Sequence, residues 1–174
     1  NPLDKDSYST LSQGNLRVSY TDSQDHLRAT FSAKGKIYFE VMQVGGVASN
    51  YPEIGLSSTD APLDWYPSYS TTGRAIVWHG WNTGYVWDNA STVVPDFGIW
   101  SQGDVLGVAV DADDKKIWFR DANGWRANAS GTVGNPGEGT YAAATWSEDV
   151  PLYPVTGCGS PGTGDTVINF GQDP

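Results

Sequence analysis

Glycine and proline interrupt this chain so often that a helical fold has little room to form. There are 21 glycines and 10 prolines in 174 residues, and few of the gaps between them could hold an amphipathic helix of ~10 residues. What lies between is strand-like. Gly35-Lys36-Ile37-Tyr38-Phe39-Glu40-Val41-Met42 is a β-branched and aromatic run behind a turn residue. Val105-Leu106-Gly107-Val108-Ala109-Val110 is nearly all apolar, the pattern of a central strand buried on both faces. Lys116–Arg120 follows across Asp111–Lys115, which predicts a hairpin with an acidic turn. Asn123-Gly124 marks another tight turn. Leu152–Val155 and Thr166–Phe170 read as the last strands. Short strands at a spacing of roughly 8–12 residues predict an all-β sandwich or barrel.

Composition narrows what such a sandwich could bind. Its length suits a single domain over residues 1–174 with a real core, and 39% hydrophobic against 17% charged residues excludes a disordered chain. A net charge of −10 disfavours nucleic acid and anionic membranes, whose phosphates repel it. A neutral carbohydrate or a protein surface is compatible with that charge, and solubility alone also accounts for it. The single cysteine, Cys158, can form neither an internal disulfide nor a cysteine-based zinc cage, and reads as an inert small residue. No apolar run approaches the ~18 residues of a membrane span. The chain begins Asn1-Pro2 with no initiator Met, so it is expected to be excised or processed from a longer protein, through which it could be multimeric.

Six motifs in order resemble one family. Gly35-Lys36-Ile37-Tyr38-Phe39-Glu40-Val41 is similar to its G-K-x-Y-x-E-V strand, and Glu53-Ile54-Gly55-Leu56-Ser57 to the following I-G-[LIV] strand. Gly103-Asp104-Val105-Leu106-Gly107-Val108-Ala109-Val110-Asp111 matches G-D-V-[IL]-G-[VC]-A-[LV]-D at every position. Lys116–Phe119 with Asn123-Gly124, Pro151–Val155 and Thr166–Gly171 supply the other three. The chain therefore resembles SPRY domains. The resemblance implies two antiparallel sheets packed face to face, jelly-roll-like and similar to concanavalin-type lectins. It also implies a non-catalytic fold that binds proteins or peptides through loops at one end. The opening Asn1–Lys5 and Leu11–Leu16 resemble the phage and bacterial branch, and the L-D-x-x-T-A segment that precedes animal members is lacking. That branch implies a module of a virion fibre, spike or decoration, or of a bacterial surface protein, and so a virion, extracellular or cell-surface location. The motifs themselves are structural. Gly107 is expected where a side chain would strike the facing sheet or neighbouring backbone.

Catalytic signals are sparse. His26 and His79 have no Gly-x-Ser-x-Gly elbow to serve. Glu40, Glu53, Glu138 and Glu148 are widely separated and cannot form the Glu-x-Asp-x-Glu strand of glucanases that share this sandwich. An enzyme and a cofactor are therefore not expected. Asp111, Asp113 and Asp114 lie in one turn; calcium prefers such oxygens, but the order lacks the glycine and distal glutamate of an EF-hand loop, so no metal is assigned. Asn89-Ala90-Ser91 and Asn128-Ala129-Ser130 fit the glycosylation pattern. The Gly- and Pro-rich Asn128–Thr140 reads as a long loop, functional or merely exposed. The best site candidates are aromatic: Tyr51, Trp65, Tyr66, Tyr69, Trp81, Tyr85, Trp87 and Trp100. Trp and Tyr dominate protein hot spots and also stack on sugar rings. The expected partner is thus a protein or a glycan on a host or particle surface, with a lectin-like module on a larger enzyme as the alternative and a glycoside-active sandwich as a disfavoured third.

Overall fold

The computed structural model describes residues 1–21, 25–46, 52–64, 71–80, 82–158 and 164–171. Among them no helix forms. The strands are β1 (Ser9–Ser12), β2 (Arg17–Tyr20), β3 (Asp25–Arg28), β4 (Lys36–Gly46), β5 (Pro52–Ser57), β6 (Ala75–His79) and β7 (Tyr85–Asp88). There follow β8 (Ser91–Val94), β9 (Val105–Asp111), β10 (Lys116–Asp121), β11 (Gly124–Trp125), β12 (Ala144–Thr145), β13 (Tyr153–Cys158) and β14 (Gly164–Asn169). They pair antiparallel into two sheets. The larger runs β1-β2-β14-β4-β9-β10-β11, with β12 also on β10, and the smaller runs β3-β13-β5-β6-β7-β8. The two-sheet antiparallel sandwich is what the motifs implied. The Gly35–Met42 run proves to be one long strand extending to Gly46, while the more polar β1, β2, β3, β7 and β8 carry no comparable apolar signal.

Alternation decides which side chains enter the core, because successive residues of a strand face opposite ways. Phe39 and Val41 of β4 sit opposite Val108 and Leu106 of β9, and Phe119 and Ile117 of β10 sit opposite Val108 and Val110. All are buried. From the smaller sheet come Leu27, Ile54, Leu56, Ile76, Trp78 and Val86, also buried. Trp78 joins the two layers. Its ring centroid lies 6.0 Å from Phe119 across the interface. Phe97 at 5.0 Å and Trp100 at 4.7 Å pack edge-on against it. Both belong to the β8–β9 connection, which carries the chain from one sheet to the other. The Trp78 Nε1–H donates to the Gly98 carbonyl at 2.8 Å, so the polar tip of the ring holds the same connection.

Val105–Val110 is central and buried on both faces except at its first residue. Leu106, Val108 and Val110 point inward, whereas Val105 on the outer face is 42% exposed. Gly107 also lies on the outer face. A Cβ there would come within 2.4 Å of the Tyr38 hydroxyl and 2.6 Å of Arg120 Cγ. The collision that demands glycine is with side chains of the flanking strands of the same sheet, not with the facing sheet.

The 128–140 loop is ordered by its own bonds. The Asn128 side-chain oxygen accepts from Ser130 N, Ser130 Oγ and Thr132 N, and Asn135 bridges Thr140. The loop covers Trp118, whose Nε1–H donates to the Thr140 carbonyl at 2.8 Å. Asn89 is likewise structural, its Oδ1 accepting from Ala75 N. In the acidic hairpin turn, Asp111 Oδ1 accepts from Asp114 N at 3.0 Å and Lys116 pairs with Asp114.

Trp78→Ala is expected to cost about 3–5 kcal/mol, the range for emptying a large aromatic site. Urea unfolding of the variant should show a lower midpoint at unchanged slope. Trp78→Phe, which keeps most of the volume and loses the bond to Gly98, should cost clearly less.

Candidate recognition end of the sandwich

One end of the sandwich gathers the strand termini. The registers place Cys158 opposite both Asp25 and Pro52, and Gly164 opposite both Tyr20 and Gly46. Glu53, the second residue of β5, pairs with His79, the last of β6. The ends of β2, β4, β6 and β13 and the starts of β3, β5 and β14 therefore lie side by side.

Beneath this end lies a buried polar floor. On the outer face of the smaller sheet, His26, Gly157, Glu53 and His79 form one row across β3, β13, β5 and β6. Glu53 and His26 are both 0% exposed. His79 Nδ1 lies 2.5 Å from Glu53 Oε1, and His26 Nε2 lies 3.3 Å from Oε2. His26 stands two strands away from Glu53, about 9–10 Å of sheet, and its ring spans that gap by crossing β13 at Gly157. A Cβ on Gly157 would sit 2.1 Å from His26 Cδ2, so position 157 must be bare. Burial by itself raises the Glu53 carboxyl, but the hydrogen bonds and charge of His26 and His79 outweigh it and hold the group down to about 2. On the inner face, the Tyr20 hydroxyl shares a hydrogen bond with Thr166 Oγ1 at 3.0 Å. Burial there drives the phenol far above its usual range.

Away from this end, at the last residue of the edge strand β3, Arg28 clamps the chain that leaves β5. Its Nε and Nη2 grip the two Asp4 oxygens, each at 2.9 Å. Nη1 donates to the carbonyls of Ser58 and Ala61, and Nη2 to that of Thr59. The planar fork of arginine suits such a site, where lysine would offer one point of charge.

Chemically this end can hold a shape but cannot turn over a substrate through Glu53, whose carboxylate is sealed between two imidazoles. Among the described residues, no group of three or more His, Cys, Asp or Glu side chains is arranged to bind a metal ion. Of the aromatic candidates, Tyr51, Trp65, Tyr66, Tyr69 and Trp81 lie outside the described residues. Tyr85 and Trp87 project together from the outer face of β7, half-buried, with ring centroids 6.3 Å apart. Trp100 must be struck from the set, because it is 5% exposed and packs on Trp78. Cys158 is buried. The Glu53–His network and Arg28 were not singled out in the sequence. An acid heading the otherwise apolar Glu53–Leu56 segment was the one available hint, and its two histidine partners come from strands far apart in the chain.

Known proteins place this architecture. The family model of the SPRY domain matches residues 36–173. Ran-binding protein 9 of Xenopus laevis is 31% identical over 185 residues, covering 99% of this chain and 30% of that protein. Ran-binding protein 10 of Danio rerio is 30% identical, covering 99% of this chain and 27% of its own length. The chain thus spans under a third of the length of these relatives. Among solved structures, the SPRY domain of human HERC1 superposes with a TM-score of 0.76 at 12% identity, over 100% of this chain and 99% of that one, a likeness of fold. The relatives correct the expected location. They are Ran-binding proteins of vertebrates, and that overturns the virion, extracellular or cell-surface placement. The alignment with these vertebrate relatives takes in 99% of this chain, so the opening segment that suggested the phage and bacterial branch does not set it apart from them.

Glu53 gives the fold an acid limit. Its carboxyl is depressed when folded, so its contribution is complete above the unfolded value of about 4.3. It fades as pH falls toward about 2. Glu53→Gln should therefore remove part of the stability at neutral pH, about 3–5 kcal/mol for breaking a buried charged pair. It should also flatten the dependence between pH 4 and 2, read from urea midpoints across that range. Gly157→Ala should destabilise by displacing His26 although Glu53 is intact.

Proposed function

This chain belongs to the SPRY domain family, and we propose that it acts as a non-enzymatic module recognising a protein or peptide at the end of the sandwich where the strand termini converge. SPRY domains are protein-interaction modules, and the match over residues 36–173 is the observation that carries the reading. We read residues 1–174 as one domain. Tyr51, Trp65, Tyr66, Tyr69 and Trp81, with Tyr85 and Trp87 on the flank, are the proposed contact residues. Aromatic anchors deliver large contact area at low cost in side-chain entropy. The locked floor of Glu53, His26 and His79 supports the reading physically: a rigid base lowers the ordering cost of binding. The net charge of −10 keeps nucleic acid off the list of partners. Ran, for which the relatives are named, is a natural first probe.

The test is titration calorimetry with purified Ran, alongside panning of a phage-displayed random peptide library on the chain. Ran binding or an enriched peptide motif is expected, weakened about tenfold or more, about 1.4 kcal/mol, by Trp65→Ala or Trp81→Ala. Binding confined to a glycan array, with neither Ran nor any peptide retained, would overturn the reading in favour of a lectin-like module. Hydrolysis of a glucan would overturn the non-enzymatic assignment.

A further inference from the structure

The outer face of the larger sheet, separate from the recognition end, carries a trough. The registers set Glu40, Gly107, Arg120 and Trp125 in one row across β4, β9, β10 and β11, and Val167, Met42 and Val105 in the row beside it. Because Gly107 is bare, Tyr38 and Arg120 lie down over the strand and leave hollows on either side. One hollow, of about 250 Å³, is lined by Leu16, Met42, Val105 and Val167 together with Glu40. The other, of about 240 Å³, is bordered by Glu40, Asp104 and Asp121, with Arg120 the one base on its wall. Glu40 and Val105 line both hollows, so the two are continuous.

The chemistry of the two halves differs. The first is aliphatic and ends on Val105, which is 42% exposed. The second is acidic. Its Arg120 guanidinium is drawn toward the Trp125 ring, 5.9 Å from the centroid, and Glu40 Oε1 accepts the Tyr38 hydroxyl at 2.6 Å. Tyr38 is itself 43% exposed, and its hydroxyl lies over Gly107, which borders the second hollow. An exposed apolar patch bordered by charge is the signature of an interaction site. Asp121 is already paired with Arg126, which leaves Glu40 and Asp104 against Arg120, and on a chain of net charge −10 that balance favours a cation. We propose that this trough binds an extended segment of a partner protein that carries an arginine or lysine two residues from an aliphatic side chain. The aliphatic residue fills the Met42–Val105 half and the cation enters between Glu40 and Asp104. The halves lie one to two strands apart, about 5–10 Å, and residues i and i+2 of an extended peptide project the same way about 6.6 Å apart.

The experiment pans a phage-displayed random peptide library on the full chain and measures the enriched peptides against Glu40→Lys, Glu40→Gln, Val105→Asp and Trp81→Ala. Thermal melting would confirm that each variant folds. A basic–aliphatic peptide class is expected, which keeps its affinity for Trp81→Ala and falls about tenfold for Glu40→Lys and Val105→Asp, less for Glu40→Gln. It should weaken as salt is raised. The proposal is overturned if every enriched peptide depends on Trp81 and ignores Glu40, which would leave the recognition end intact as the binding site. It is also overturned if acidic peptides are selected at the trough, or if sedimentation shows a dimer that Val105→Asp dissociates, since a second copy of the chain would then occupy the trough.

Discussion

Trp78 is the contact on which the two layers depend. A sheet with one apolar face has to bury it against another layer, and here the burial is organised by one large ring. Trp78 enters from β6, meets Phe119 of the facing sheet, and takes Phe97 and Trp100 edge-on from the connection between the sheets. Edge-to-face rings are held by complementary quadrupoles as well as by buried area. The Nε1–H bond to Gly98 then fixes the path of the same connection. Arg126 closes that corner from outside, with its guanidinium 5.6 Å from the Phe97 ring centroid and an ion pair to Asp121. One side chain thereby couples core packing to the geometry of the chain reversal that β9 needs.

The outer faces follow a different rule. Each has a glycine where a long side chain from a flanking strand must cross. At Gly157 the crossing ring is His26, and it brings a second imidazole to Glu53. At Gly107 the crossing groups are Tyr38 and Arg120, and they shape a solvent-facing trough. The same local device thus produces a sealed polar network on one sheet and an open surface on the other. What separates them is cover: Val77, Val155 and Glu53 of the smaller sheet are buried on its outer side, whereas Val105 and Tyr38 of the larger remain exposed.

Membership of the SPRY family fits this division. A sandwich whose one end is braced from below by Glu53, while Arg28 pins the chain at the opposite ends of β3 and β5, can carry variable contact residues without losing its strand register. Nothing in that arrangement depends on a virion or a cell surface, and the relatives it resembles are Ran-binding proteins of vertebrates.

The strands of the fold were legible where apolar alternation and turn residues coincide, as in Gly35–Met42, Val105–Val110 and Lys116–Arg120, and the ordered motifs that these strands carry made the sandwich and the family legible too. Trp100 misled, because an aromatic in a connection has no periodicity to reveal that it folds back into the core. Glu53, His26 and His79 were invisible as a set, since they are brought together by strand pairing between segments far apart in the sequence. Gly107 shows the boundary most clearly. The chain by itself determined that the position must be glycine in a central strand. Only the tertiary structure decided that Tyr38 and Arg120 are what a Cβ would strike, because register across three strands, not sequence neighbourhood, sets which side chains share a face.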